Sequence, residues 1–362
     1  MIRLEYLNDT FMIRINEKQQ KVLRLFLRHD FLTSSEVYKE LIELGEKISL
    51  VTVKRELSQM AIGELLIAEG AGRSHGYRIS IQGRIFADIN ARDYCVIDPD
   101  KRYGMEKFNF ELFPKLPSDI FFVQELKILE DATKEYEQRI KNISPAIQKK
   151  ELERLIIELS WKSSKIEGNT YTLLDTEKLI LENKEAVGHD KKESVMILNH
   201  KDAFTFVREN LDLFKTLTRA NLEQLHSILI KDLNVNVGFR KNPVGVTGSK
   251  YRPLDNIYQI QETVDALSTT ISRMETPYAK ALMALLGISY IQPFEDGNKR
   301  TARLMANALL LAHGRVPLSY RSVDENDYRE GMLVFYELNS IVPFKTIFID
   351  QYDFAARNYT VK

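Results

Sequence analysis

The sequence predicts a mainly α protein: an all-helical core carrying a small β-hairpin flap, preceded by a small α+β domain. Three observations point there. From residue 119 onward, apolar residues recur at helical spacing in one run after another. A single stretch, Gly238–Ile260, breaks that pattern with alternating valines, glycines and prolines. Near the N-terminus, three short helical patterns are followed by two β-prone pieces around a glycine-rich turn.

Taken in order, residues 2–7 (IRLEYL) and 11–15 (FMIRI) are β-prone and read as a hairpin around Asn8-Asp9-Thr10. Residues 17–29 form a helix whose apolar face is Val22, Leu23, Leu25, Phe26 and Leu27. Thr33 or Ser34 caps a helix over 36–44, and Ser49 caps another over 51–62. Residues 64–68 and 77–81 read as strands flanking the turn Gly70–Gly76. Pro99, Pro114, Pro117 and the charged run DPDKR make 96–118 a linker between a domain at 1–95 and a second at 119–360. In the second domain, helices are expected over 123–141, 146–166, 173–183, 194–210 and 218–232. In the flap, Val244 and Val246 alternate with Gly245 and Thr247, Gly248-Ser249 turns the chain, and Tyr258 resumes a strand.

Composition narrows the function. Apolar content of 44% and charged content of 28% are those of a globular protein. The formal net charge is zero, so no global field steers the chain to nucleic acid or an anionic membrane. Cys95 is the single cysteine, which excludes an intramolecular disulfide and fits a reducing compartment. The N-terminus has no basic segment followed by an apolar core, and no apolar run approaches the ~20 residues that span a bilayer. The expectation is a cytoplasmic protein with no membrane partner.

The chemistry concentrates in Ile291–Arg303, IQPFEDGNKRTAR, between two strongly apolar helical runs. Gly297 and Asn298 precede a helix, and a helix N-terminus offers unpaired N–H groups and partial positive charge to an anion. Asp296 is a hard carboxylate suited to Mg²⁺ bridging phosphates. Lys299, Arg300 and Arg303 then crowd the first turn, where cations oppose the helix dipole and call for an anion. Glu167 has the opposite misplacement, a carboxylate at a helix C-terminus. If the two ends meet, Glu167 pairs with Arg303 and both penalties are relieved. Gly168 suits the left-handed position that follows such a helix.

Pro293, Phe294, Asp296, Gly297, Asn298, Arg300 and Arg303 resemble the signature of the Fic (Fido) family, HPFx(D/E)GNGRxxR. Ser163-Ser164-Lys165-Ile166-Glu167-Gly168-Asn169 is similar to that family's inhibitory motif, [ST]xxxE[GN]. Gly238-Phe239-Arg240 and 244–260 resemble its target-docking flap. The resemblance covers roughly residues 105–355, and the inhibitory helix, 146–168, lies before the core in the same chain. It implies an all-helical Fic core that binds Mg²⁺ and ATP and transfers AMP to a Ser, Thr or Tyr hydroxyl of a target protein. By position it implies Asp296 on the metal, with Gly297, Asn298, Lys299, Arg300 and Arg303 around the nucleotide. Ser163, Glu167 and Gly168 would inhibit, and Val244, Val246 and Tyr258 would dock the target by strand addition. Members of the family often dimerise, so a homodimer is among the expectations.

Two positions depart from the pattern. The catalytic histidine of the family is Gln292 here. A carboxamide can orient a hydroxyl but cannot take up its proton, and loss of a general base typically costs 10²–10⁴-fold. His200, His226 and His313 fall in expected helices, and their spacing brings none of them to the loop. Lys299 stands where the family has glycine, adding charge and bulk beside the phosphates.

The N-terminal pattern resembles a winged helix-turn-helix. That resemblance implies Thr52, Lys54, Arg55 and Gln59 facing DNA from the third helix, with Arg73 and His75 at the wing tip. Such modules also serve protein contacts, and 14 Lys/Arg against 15 Asp/Glu in residues 1–100 is no basic excess. Three functions follow: a self-inhibited adenylyltransferase, a degenerate one that binds Mg²⁺ and nucleotide with little transfer, and a DNA-binding regulator whose core senses nucleotide.

Overall fold

The computed structural model describes residues 15–141 and 143–361. The hairpin read from residues 2–7 and 11–15 lies outside them, Ile15 excepted. The molecule is mainly helical, as the periodicity predicts.

The N-terminal helices are α1 (Glu17–Arg28), α2 (Ser34–Glu43) and α3 (Leu50–Ile62). Asn16, Thr33 and Ser49 cap them, each accepting a backbone N–H three residues on. Strands β1 (Leu66–Glu69) and β2 (Gly76–Ile79) pair antiparallel, with Leu66 opposite Ile79. Gly76 cannot carry a side chain, because a Cβ would meet the Phe31 ring at 2.4 Å and Leu32 O at 2.8 Å. On α3, Lys54 and Arg55 are exposed, whereas the Thr52 hydroxyl bonds Ser49 Oγ at 2.9 Å. The Arg73 side chain lies outside the described atoms.

The segment 96–118 is not a free linker. Phe108, Leu112, Phe113 and Leu116 are buried in the main core, with Leu112–Lys115 forming a helical turn, α6. The prolines shape this path, and the four apolar side chains decide where it goes. The core joins Ile81, Ile85 and Phe86 from the N-terminal side to the helices beyond. Conversely, Val334 and Leu338 of α15 (Glu325–Leu338) complete the N-terminal cluster. Between the two, Glu337 is fully buried and holds Tyr94 OH (2.7 Å), Ser249 Oγ (2.6 Å) and Arg102 Nη1 (3.4 Å).

Further along the chain, α13 (Pro277–Ile291) is buried along its length except at Pro277 and Lys280 and packs on α14 (Asn298–Ala312). Around them lie α8 (Pro145–Ile166), α10 (Lys191–Glu209), α11 (Arg219–Leu229) and α12 (Ile257–Arg273). A helix apolar on every side, as α13 is, belongs at the centre of such a bundle.

The flap departs from the sequence expectation. Residues 238–256 contain no strand beyond an isolated bridge between Lys107 and Arg252. Pro243 and Pro253 lack the N–H groups a ladder needs, and Arg240 draws the local carbonyls inward instead. Its Nη1 donates to Asn242 O at 2.7 Å, and its Nη2 to Leu254 O. Tyr258 is not on a strand. Asn256 Oδ1 accepts from Tyr258 N (2.8 Å) and Gln259 N (3.3 Å), capping α12 and placing Tyr258 in its first turn, 72% exposed. Val244 and Val246 are half-buried in irregular chain.

Candidate nucleotide site

The C-terminus of α13 and the N-terminus of α14 are joined by residues 292–297. Gln292 caps α13 with φ 51° and Gly297 opens α14 with φ 78°. Glycine is apt at 297: besides the positive φ, a Cβ would sit 3.4 Å from Ile230 and 3.6 Å from both Arg300 and His226. The first intrahelical bond of α14 is Thr301 N to Gly297 O, 2.9 Å. The amides of Gly297, Asn298, Lys299 and Arg300 precede it and form the unpaired start of the helix.

The loop is clamped from inside. Asn298 Oδ1 accepts from Phe294 N and its Nδ2 donates to Phe294 O, both at 2.8 Å. Its side chain therefore holds the loop, and its backbone N–H is what faces an anion. His226 stacks on Phe294 with centroids 3.6 Å apart and planes 4° apart, and Nε2 donates to Asp296 O at 2.9 Å. Burial pushes the His226 pKa down to about 4 against the opposing pull of that bond, so the ring is neutral. The expectation that no core histidine reaches the loop is thus corrected: α11 delivers His226 to it, as a packed residue. No pattern in the sequence marks that contact.

Arg300 is 2% exposed; its Nη2 donates to Asp296 Oδ2 at 3.0 Å, while its Nη1 is buried with no partner. Asp296 itself is largely open. Arg303 is fully buried beneath the loop. Its Nε donates to Ser163 Oγ (2.9 Å), its Nη2 to Ser163 O (2.8 Å) and its Nη1 to Tyr328 OH (3.3 Å).

The end of α8 closes this site. Glu167 Oε1 stands 2.9 Å from Arg303 Nη2, and Glu167 Oε2 stands 3.6 Å from Lys299 Nζ. The Arg303 contact is one of charge rather than an aligned hydrogen bond, since Glu167 Oε1 has no donor pointed at it. Burial works to raise the Glu167 pKa, but Arg303 and Lys299 outweigh it and hold the carboxyl below its usual range. Gly168 follows with φ 97°, a left-handed position in open space. The meeting of α8 and α14 was legible from the two opposed dipole penalties; the share taken by Lys299 was not.

Gln292 is 8% exposed and turned inward. Its Nε2 donates to Ser289 O at 2.6 Å, and its backbone carbonyl accepts from Arg240 Nε at 2.6 Å. His200, on α10, is fully buried with both ring nitrogens unpartnered, and burial together with Arg303 and Arg300 drives its pKa well down. His313 lies at the far end of α14. Among the described residues no group of three or more His, Cys, Asp or Glu could hold a metal by itself, so Asp296 would have to share an ion with bound phosphates. No described helix is long and apolar enough to cross a membrane.

This loop, with α11, α13 and most of α14, falls inside residues 216–310, which match the Fic/DOC family; α8 and Glu167 lie outside the matched residues. The chain carries a Fic/DOC family domain. Curated relatives include the protein adenylyltransferase Fic of Nematostella vectensis, 31% identical over 175 residues, 47% of this chain and 41% of that protein. The protein adenylyltransferase Fic of Drosophila willistoni is 31% identical over 189 residues, 51% of this chain and 38% of that protein. The chain thus spans about two-fifths of the length of these relatives. Among solved structures, Fic-1 (residues 134–508) of C. elegans superposes with TM-score 0.55 at 18% identity, covering 65% of this chain and 70% of that one. A Fic family protein of Desulfovibrio desulfuricans gives 0.55 at 21%, covering 67% and 75%. Both share the fold of the Fic domain.

Proposed function

We propose that the Fic domain binds a nucleoside triphosphate with Mg²⁺ at the start of α14, that Glu167 holds this site closed, and that AMP transfer is slow once it opens. The observation that carries the reading is the Glu167–Arg303 pair, 2.9 Å, across the mouth of an unpaired helix N-terminus. A γ-phosphate would compete with the Glu167 carboxylate for Arg303. The amides of Gly297, Asn298 and Lys299 and the free Arg300 Nη1 supply donors for the remaining phosphate oxygens. Asp296 would hold Mg²⁺, which neutralises phosphate charge when bound.

Transfer of AMP to a protein hydroxyl releases pyrophosphate and requires the hydroxyl proton to go elsewhere. Gln292 cannot take it, and its amide is already engaged with Ser289 O. His226 cannot replace it, being fully buried with Nε2 committed to Asp296 O. The relatives named as adenylyltransferases support the reaction class, and Gln292 supports a low rate. The target protein would approach Val244 and Val246, by side chains rather than by a strand of the flap.

Calorimetric titration of Mg²⁺ and ATP into the wild type and Glu167→Gly tests this. Binding at least tenfold tighter in the variant is expected; equal affinity removes the plug, and no binding to either removes the site.

A second reading, a nucleotide-sensing regulator contacting DNA through residues 1–95, is favoured by exposed Lys54 and Arg55 on α3. Binding to promoter DNA that weakens steeply with salt and is lost in the double variant Lys54→Ala/Arg55→Ala would support it. Val51 and Ile62, 79% and 74% exposed on the same helix, favour a protein partner instead.

A further inference from the structure

A second recess lies away from the α14 site, where the β1–β2 sheet and the helical turn α4 (Ile81–Ile85) meet residues 104–115. It is an open recess of about 590 Å³, inside the roughly 300–1,000 Å³ range of small-molecule sites. Ile79, Ile81 and Phe108 form an apolar wall, and Arg84 and Lys107 supply charge.

The charges do not cancel. Glu111 is taken by Lys115 at 2.8 Å, and Glu106 faces Lys250 at 4.0 Å. Arg84 has no hydrogen bond from its guanidinium and no carboxylate within ion-pair distance among the described residues, and Lys107 likewise has no acidic partner. Arg84 is half-buried, and that burial lowers its pKa against the opposing pull of Asp30 and Tyr290. A half-buried guanidinium that folding leaves unpaired keeps its fork of donors for a carboxylate or phosphate from outside the chain. Arg102, Arg240, Arg300 and Arg303 of this chain, all more deeply buried, each have a carboxylate or carbonyl partner.

We propose that this recess is a binding site for a small organic anion, with one phosphate or carboxylate on Arg84 and Lys107 and an apolar body against Ile79, Ile81 and Phe108. The site is built jointly by the N-terminal domain and the segment leading into the Fic domain, so an occupant fastens the two together. It also adjoins the end of α13: Phe108 stacks on Tyr290 at 4.6 Å, and the amide of Asn109, another lining residue, donates to Tyr290 OH at 3.0 Å. None of this depends on nucleotide binding at α14.

The test titrates the full-length protein with phenyl phosphate, benzoate and uncharged phenol, read by calorimetry and thermal shift. Saturable binding of phenyl phosphate or benzoate, at least tenfold tighter than phenol, is expected. It should weaken at least tenfold in Arg84→Gln and in Ile67→Glu, which puts an opposing charge on the exposed rim of the recess. Ile67 is 45% exposed, so that variant keeps the fold even should Arg84→Gln fail to. A crystal soaked with the tighter anion should show it on Arg84. The proposal is overturned by no saturable binding of either anion, by binding equal to that of phenol, or by binding unchanged in Ile67→Glu. It is also overturned by the anion appearing only at the start of α14, and phosphate-only or carboxylate-only binding names which head group the site takes.

Discussion

Lys299 Nζ lies 3.6 Å from Glu167 Oε2, on the oxygen opposite the one that faces Arg303. The carboxylate is therefore held by two cations, both from the first two turns of α14. One of them is the residue where the family pattern has glycine. Lys299 thus has two roles of opposite sign. On the proposed function, with Glu167 in place it would strengthen the plug, and with Glu167 gone it would stand free beside the phosphates. Lys299→Met is expected to raise Mg·ATP affinity in the wild-type chain and to lower it in Glu167→Gly. Each change should be about two- to fivefold, the size of a partly exposed ion pair. Calorimetry on the four proteins checks the reversal, and a change of the same sign in both backgrounds excludes the double role.

Restoring a base should restore chemistry. Gln292→His combined with Glu167→Gly is expected to increase self-labelling from α-labelled ATP by about 10²–10⁴-fold over Glu167→Gly alone. Strong labelling by Glu167→Gly with Gln292 intact would mean that another group accepts the proton.

His226 gives stability a pH dependence whose sign is fixed by its depressed pKa of about 4. The unfolded chain binds this proton near the ordinary value of ~6.5. The neutral ring's contribution is therefore complete above ~6.5 and is lost as pH falls from there towards 4. The full difference is about 3 kcal/mol, at 1.36 kcal/mol per pH unit. Urea unfolding of the wild type and His226→Phe between pH 7.5 and 4 should show the gap between them changing over that window. A gap that is constant with pH would mean the ring is protonated in place. The Glu167 pKa is also depressed, with the opposite practical result: its ion pairs persist from neutral pH down through the usual carboxylate range, so the plug should not respond to pH between 6 and 8.

Asn298 is expected to matter more to the fold than to ligand contact. Asn298→Ala strands the buried N–H and C=O of Phe294, each of which costs about 1–3 kcal/mol when left unpaired. A drop of about 2–4 kcal/mol in unfolding free energy is the expected result, whereas a loss below 0.5 kcal/mol would show that the stacked His226 and Phe294 rings hold the loop unaided.

What the sequence reveals divides by the range of the cause. Helix caps, the left-handed Gly168 and the buried run of α13 follow from neighbours in the chain and are readable there; the left-handed φ of Gly297 is not. Glu167 and Arg303 were readable for a different reason: each is misplaced in its own helix, and the two errors cancel. In the flap, the alternation at Val244 and Val246 points to a strand, but Pro243, Pro253 and the capping Asn256 override it and give irregular chain and then a helix. In 96–118 the prolines suggest a linker, but burial of Phe108, Leu112, Phe113 and Leu116 decides the path. His226, Arg240 and Tyr328 act on the site across long separations, with nothing in their local sequence to announce it.

Glu337 has a wider meaning. One side chain from α15 holds Tyr94 and Arg102 on one side and Ser249 of the flap on the other. The apolar clusters cross the same boundary in both directions. The chain accordingly has no seam at which its N-terminal domain could be exchanged as a cassette. A recombinant fragment starting at residue 119 would strip Glu337 of Tyr94 and Arg102 and leave it Ser249 alone. In an evolving lineage, replacing the first hundred residues would require changing α15 and the flap along with them, so this N-terminal domain and this Fic domain are expected to have diverged together.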